Sequence, residues 1–228
     1  MLKSKELRKK AWESLKGKYW MAFAVIIVTG LIGSAGNALL SFGQNLSEVL
    51  GLVDPVEMDD VMLTGALVLN GFVIVSSIIG ALLSIFVTDA FTVGANNYFI
   101  KNTDSKPEFK EIFSGFKVKY LRNIGTLLLV GIKLVLWTIL FIIPGIIKSY
   151  EYAIIPYILA DEPEISSKDA FKKAKQMMKG NKWRLFKLEF SFIGWAVLCV
   201  LTLGIGTFFL IPYVNAATAE FYVELKNN

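Results

Sequence analysis

The sequence predicts an all-α, polytopic membrane protein with about six transmembrane helices in three antiparallel hairpins. Each hairpin is preceded by a basic amphipathic helix on the cytoplasmic face. Three observations predict this. The 228 residues are 54% hydrophobic with a mean hydropathy of +0.54, whereas soluble domains run at roughly 45–50% apolar on a count that also includes glycine. The excess is gathered into runs of about 18 residues or more, the length that spans a bilayer core. Lysine and arginine crowd every second connector, the pattern expected of segments held on the inner side of a membrane.

Residues 1–18 carry seven basic groups against Glu6 and Glu13, with Leu7, Ala11, Trp12 and Leu15 at helical spacing. This is the first amphipathic helix, and Tyr19 to Leu40 is the first span. A secretory leader is the rival for that stretch. The basic region is longer and more regularly patterned than a leader's. Residues 41–60 hold five acids and no lysine or arginine, which places this connector outside and the N-terminus in the cytoplasm. The second span returns from 61–67 to about Thr88, with helix continuing to Ile100. Ser76, Gly80 and Ser84 line one face of it, either as a contact for another helix or as ordinary membrane-helix composition.

Residues 101–122 bring six further basic groups, with Phe109, Ile112, Phe113, Phe116 and Tyr120 marking a second amphipathic helix. The third span is 124–143. Pro144-Gly145 is the outer bend, because proline lacks the N–H and clashes with the preceding turn. A shorter fourth segment, 146–160, contains Pro156. Residues 161–187 hold eight basic groups and four acids. Ser166 with Asp169 opens a third amphipathic helix whose stripe is Ala170, Phe171, Ala174, Met177 and Met178, and Gly180 suits its C-terminal cap. The fifth span is 185–203, Leu203 to Gly206 the outer turn, and the sixth 207–223, containing Pro212. Pro144, Gly145, Pro156 and Pro212 are thus the expected hinges, and both termini are cytoplasmic.

The whole chain, 1–228, is one membrane domain. Echoes within it suggest one unit used three times, over 1–100, 105–163 and 164–228: GKYW at 17–20, KYL at 119–121 and GNKW at 180–183, then IIPY at 154–157 and LIPY at 210–213. Shared composition of membrane hairpins would produce similar echoes.

Composition narrows the chemistry. The net charge of +5 and pI near 9.1 come from basic groups flanking apolar runs, so anionic lipid headgroups, not nucleic acid, are the expected partner. Cys199 is the single cysteine and histidine is absent, which removes any intrachain disulfide, the commonest general base and the commonest zinc ligand. No phosphate loop, zinc motif or nucleophile motif occurs. The expectation is a non-enzymatic protein with no cofactor and no metal.

Candidate functional residues are the charges inside the spans. Lys133 lies about nine residues, some 14 Å, into the third span. Glu151 lies on the returning segment within reach of Lys133 if the lysine snorkels, while Lys148 competes for the same carboxylate at i, i+3. Such a buried pair either fixes helix register or marks a substrate or proton pathway. Asp89, Glu189 and Glu220 fall nearer the inner ends of the spans. Asn70, Asn96, Asn97 and Asn215 are expected to bond between helices.

ELRKKAWESLKGKYW near the start, LFIIPGIIKSYEYAIIPYILADEP in the middle, and MMKGNKWRLFKLEFSFIGW with GIGTFFLIPYVNAATAEFY at the end resemble bacterial membrane proteins of the domain-of-unknown-function nine-seven-five family. That family is similar to the membrane portion of some glycerophosphodiester phosphodiesterases. The resemblance implies a polytopic fold in the bacterial cell membrane and no phosphodiesterase activity, since the catalytic histidines have no counterpart here. The expected role is binding of lipid, a membrane-active peptide or a membrane protein partner. A small-solute or lipid transporter using the buried charges is the alternative.

Overall fold

A computed structural model describes residues 1–51, 60–117 and 119–227, and among them all regular secondary structure is helical. In chain order the helices are α1 (Ser4–Leu15), α2 (Tyr19–Gly51), α3 (Asp60–Leu83), α4 (Asp89–Asp104), α5 (Tyr120–Leu140), α6 (Ile142–Tyr152), α7 (Ile155–Asp161), α8 (Ser167–Met177), α9 (Lys182–Phe190), α10 (Ile193–Leu201) and α11 (Ile205–Lys226). The chain divides into two compact units, Met1–Val28 with Asp89–Asn228, and Thr29–Thr88.

In the smaller unit, α2 runs 11 residues past the expected end of the first span at Leu40, so the start of the acidic connector is helical. Its remainder, including Asp54, Glu57 and Asp59, lies outside the described residues. A π-helical turn, Ser84–Thr88, follows α3 directly. Gly80 is buried, while the Ser76 hydroxyl donates back to Val73 O at 2.9 Å.

The larger unit has two zones. One is a packed base. The apolar stripe of α1 (Leu7, Ala11, Leu15) is buried, with α11 the main helix packed on α1, and Ala170, Ala174 and Met178 are buried on the α8 side. The middle amphipathic segment is a 3-10 helix, Phe109–Phe116, in place of the expected α-helix over 109–120. Glycine contacts show why. A Cβ on Gly94 of α4 would lie 1.8 Å from Ile112 O, and one on Gly115 would lie 2.0 Å from Ala90 O. The 3-10 segment therefore rests backbone to backbone on α4, with Phe91 set edge-on between Phe113 and Phe116. Asn97 ties the two through Glu111 and Ser114, both at 3.0 Å.

The second zone is apolar and open. Residues 128–147 and 193–211 expose large side chains nearly without interruption, Ile139 at 79% and Leu203 at 94% among them. By length and hydropathy, among the described residues, α5 alone is long and apolar enough to cross a bilayer, and only 17% of its most apolar window is buried. A second candidate arises if Ser4–Leu15 and Tyr19–Ser34, bent by 97°, count as one segment.

The expected third, fourth and fifth spans end or break at points other than those expected. The second hairpin turns at Phe141, whose extended backbone (φ −157°, ψ 131°) separates α5 from α6, and not at Pro144-Gly145. Pro144 sits in the first turn of α6, where its missing N–H costs nothing. Gly145 instead permits close crossing, since a Cβ there would stand 2.6 Å from Thr138 Oγ1. The return breaks at Ala153–Ile154, and Pro156 occupies the first turn of α7. The expected fifth span is split into α9 and α10. Arg8 Nη1 donates to Ser191 O at 3.0 Å and the Ser191 hydroxyl donates to Leu188 O at 2.6 Å, which together draw the backbone off the helical ladder. Pro212 is no hinge: α11 passes through it unbroken.

Pro212 cannot donate to the Phe208 carbonyl, and its ring crowds the turn before it. The Tyr19 hydroxyl donates beside the gap, to Phe209 O at 3.1 Å, and lies 3.5 Å from Phe208 O. Each basic helix also closes on a left-handed residue before the next helix starts: Gly17 (φ 74°), Lys119 (φ 45°) and Gly180 (φ 79°).

Candidate functional site

Glu151 is the centre of the charged constellation in the larger unit. It occupies the last turn of α6 and is 4% exposed. Its two oxygens are shared between Lys148 Nζ at 2.8 Å and Lys182 Nζ at 2.5 Å. The expected Lys133 partner is absent. Lys133 Nζ stands 3.6 Å over the centre of the Phe171 ring, a cation–π contact that serves a lysine emerging from an apolar helix. Lys148, one turn before Glu151, has the shorter path and also lies 5.6 Å from the Trp137 ring.

Lys182 is the member that sequence reasoning missed. It opens α9, 31 residues from Glu151 in the chain, and joins the hairpin of α5 and α6 to the C-terminal helices. The only sequence signal was its position after Gly180-Asn181, where the left-handed glycine ends one helix and aims the next. Beside this node the Tyr150 hydroxyl donates to Glu189 Oε2 at 2.9 Å, so the exposed Glu189 completes the α6 to α9 contact and does not enter the cluster.

Three more charged links close the base. Arg184 pairs with Glu224 at 2.8 Å and donates to Leu2 O, and Glu224 accepts from the Leu2 N–H at 2.7 Å. Asp161 accepts from the Tyr222 hydroxyl at 2.8 Å and from Lys226. Arg122 donates to the carbonyls of Pro163 and Glu164, while Lys119 reaches the Glu164 carboxylate at 2.6 Å. That hydrogen bond, more than the charge itself, holds the Glu164 carboxyl below the usual range. Asp89, at the first position of α4, stands apart from Glu151, and burial pushes its carboxyl up to about 6. Of the asparagines, Asn97 bridges α4 to the 3-10 segment, whereas Asn215 bonds its own helix at Ile211 O, 2.9 Å.

At the boundary between the packed base and the open apolar zone, a groove of about 630 Å³ runs between α1, the start of α2, α10 and α11. Trp12, Tyr19, Trp195 and Tyr213 frame it, and Leu198, Cys199 and Phe209 are among its apolar lining residues. Trp12 meets Tyr213 edge-on at 5.9 Å, and the Tyr213 hydroxyl donates to Arg8 O at 3.1 Å, so the frame is fixed from the α1 side. Among the described residues no group of three or more acidic, cysteine or histidine side chains could hold a metal ion.

The arrangement joins an apolar slot to a basic helix. Residues 139–228 match the model of the family described as protein of unknown function (DUF975). The matched segment contains Glu151, Lys182 and the α10 and α11 walls of the groove, while Trp12 and Tyr19 lie outside it. No curated protein and no solved structure matches the chain.

Proposed function

We propose that this chain is a polytopic, non-enzymatic protein of the bacterial cell membrane that binds an anionic phospholipid, with an acyl chain in the aromatic-framed groove. The observation that carries the reading is the juxtaposition of that groove with the apolar surface exposed over 128–147 and 193–211 on one side and the basic helix α1 on the other. Exposed apolar surface of that extent is disfavoured in water and needs no explanation in hydrocarbon. Aromatic rings with one polar edge favour the membrane–water boundary. Lys9 stands one turn before Trp12 on α1 and Lys16 caps the helix just after it, basic groups near enough in the chain to serve a lipid phosphate.

In this reading α2 and α3, α5 with α6 and α7, and α9 and α10 with α11 supply the three hairpins, the broken ones crossing as kinked segments. Residues 1–138 belong with 139–228 to one DUF975-like fold, and the three left-handed residues at 17, 119 and 180 support a repeated unit. Similarity to the membrane portion of glycerophosphodiester phosphodiesterases is part of the same proposal. Glu151 with Lys148 and Lys182 acts as a register-fixing node, since its charges are satisfied by one another.

Native mass spectrometry of the protein taken from mixed-lipid nanodiscs tests the reading. Wild type should retain phosphatidylglycerol over phosphatidylcholine, and Leu210→Trp, which fills the groove, should lose it. Equal retention of both lipids by both proteins would sink the proposal. Labelling of single cysteines at Val53 and Glu164 in a Cys199→Ala background checks the topology, which requires opposite sides.

A further inference from the structure

A second cleft in the larger unit, of about 530 Å³, opens between α1, the end of α4 and α11, and takes in Lys10, Lys18, Asn102, Asp104, Lys106 and Glu220. Lys10 and Glu13 of α1 line it, whereas Trp12 lines the groove, so the two cavities use different residues throughout.

Two acceptors in its wall lack donors. Glu220 is 8% exposed and, among the described residues, joins no hydrogen bond or ion pair. Asn102 is 1% exposed; its side-chain nitrogen donates to Ser14 O at 3.1 Å, which fixes the amide orientation, and its Oδ1 is buried with no partner among the described residues. Lys10 is the cation that acts on Glu220, while Asp104 and Glu13 add like charge beside it, and a buried carboxylate so weakly compensated is expensive. Cations are close by. Lys18 donates to Ser105 O at 2.6 Å, while Lys10 and Lys106 make no ion pair among the described residues. Opposite charges thus face one cleft without closing on each other. Glu13 is drawn weakly to Lys9, at 4.0 Å.

We infer that this cleft binds an aminoalkyl phosphate, its primary ammonium seated on Glu220 beside Glu13 and Asp104 and its phosphate on Lys10 and Lys106. A primary ammonium offers three N–H donors, which suits a buried carboxylate flanked by two further acids, and the lysines serve the phosphate as mobile point charges. A quaternary ammonium has no N–H to give and leaves the Glu220 carboxylate without a donor. The group can arrive as the headgroup of an aminophospholipid or as a soluble ester.

Calorimetric titration of the delipidated full chain with phosphoethanolamine and with phosphocholine, together with native mass spectrometry from nanodiscs of the corresponding lipids, tests the inference. Saturable binding of phosphoethanolamine, or selective retention of phosphatidylethanolamine, is expected. The first outcome assigns a soluble ester, and the second without the first assigns a lipid headgroup. Glu220→Gln, nearly isosteric, should weaken whichever ligand binds by about tenfold or more, as should the surface pair Lys10→Gln with Lys106→Gln. Binding of neither ligand overturns the inference, as does binding indifferent to both variants or equally strong for the choline compounds. Should Glu220→Gln fail to fold, the lysine pair decides alone. Since the groove shares no residue with this cleft, failure here leaves the lipid-groove reading standing, and the reverse holds.

Discussion

Gly94→Ala is the sharpest test of how the base of the larger unit is built. The added Cβ would sit 1.8 Å from Ile112 O and 2.4 Å from Ile112 C, where ordinary contact begins near 3.4 Å, so the carbonyl must retreat by roughly 1.6 Å (3.4 less 1.8). No side chain can rotate away, because the obstacle is backbone. Overpacking of this kind costs about 1–3 kcal/mol and more where backbone must move. The retreat also strains the Asn97 bonds to Glu111 and Ser114, at about 1 kcal/mol each. A loss of about 3–5 kcal/mol corresponds to a fall in Tm of roughly 6–20 °C for a chain of this size. Gly125→Ala is the control, since nothing lies within 4 Å of its Cβ and it sits inside α5, where alanine favours the helix by ~0.5–1 kcal/mol. Thermal melts of both variants in one detergent, followed by circular dichroism at one scan rate, make the comparison. A Gly94→Ala protein melting within about 2 °C of Gly125→Ala would refute the backbone-on-backbone account.

Glu151→Gln leaves Lys148 and Lys182 without their shared anion and should destabilise by about 3–5 kcal/mol, whereas Lys133→Met, which forfeits only a ring contact, should cost ~1 kcal/mol; equal Tm losses would contradict the assignment. Because burial raises the Asp89 carboxyl from 3.8 to about 6, its ionised form disfavours the folded state above pH 6 and the penalty vanishes below 3.8. Asp89→Asn should therefore exceed wild type in stability by ~1 kcal/mol at pH 7.5, after allowance for solvent screening, with the gap closing toward pH 4; a constant gap across that range would count against it. Tyr19→Phe should cost ~1 kcal/mol through the lost bond to Phe209 O, and nearly the same in a Pro212→Ala background, where the regained donor serves Phe208 O; strong coupling in a double-mutant cycle would show that the hydroxyl serves Phe208 O instead.

Features that depend on neighbours within a few residues were legible in the sequence. Ser166 caps α8 by accepting from the Asp169 N–H at 3.1 Å, Gly180 adopts the left-handed conformation after it, and the all-helical class follows from periodicity alone. Pro144 misled because a proline after an apolar run can end one helix or open the next, and only the backbone at Phe141 decides. Distance in the chain hid the rest. The Arg8 bond that helps break the expected fifth span comes from 183 residues away, and Lys182 reaches Glu151 across 31. Gly94 and Gly125 look alike in sequence, although one faces a carbonyl and the other open space.

The segment that matches the family model is not self-contained in this fold, and the reason bears on what α1 is for. Along residues 184–224 a row of backbone and charged groups takes its partner from the first 19 residues: Arg184 and Glu224 hold Leu2, Ser191 O accepts from Arg8, the Tyr213 hydroxyl donates to Arg8 O, and Phe209 O accepts from Tyr19. Apolar contact runs the same way, since Leu7, Ala11 and Leu15 are buried. Leu7, Ala11 and Leu15 of α1 are thus used inside the protein, while Trp12 stays half exposed at the groove. It therefore acts as a clasp across the C-terminal helices and sets Trp12 into the wall of the groove.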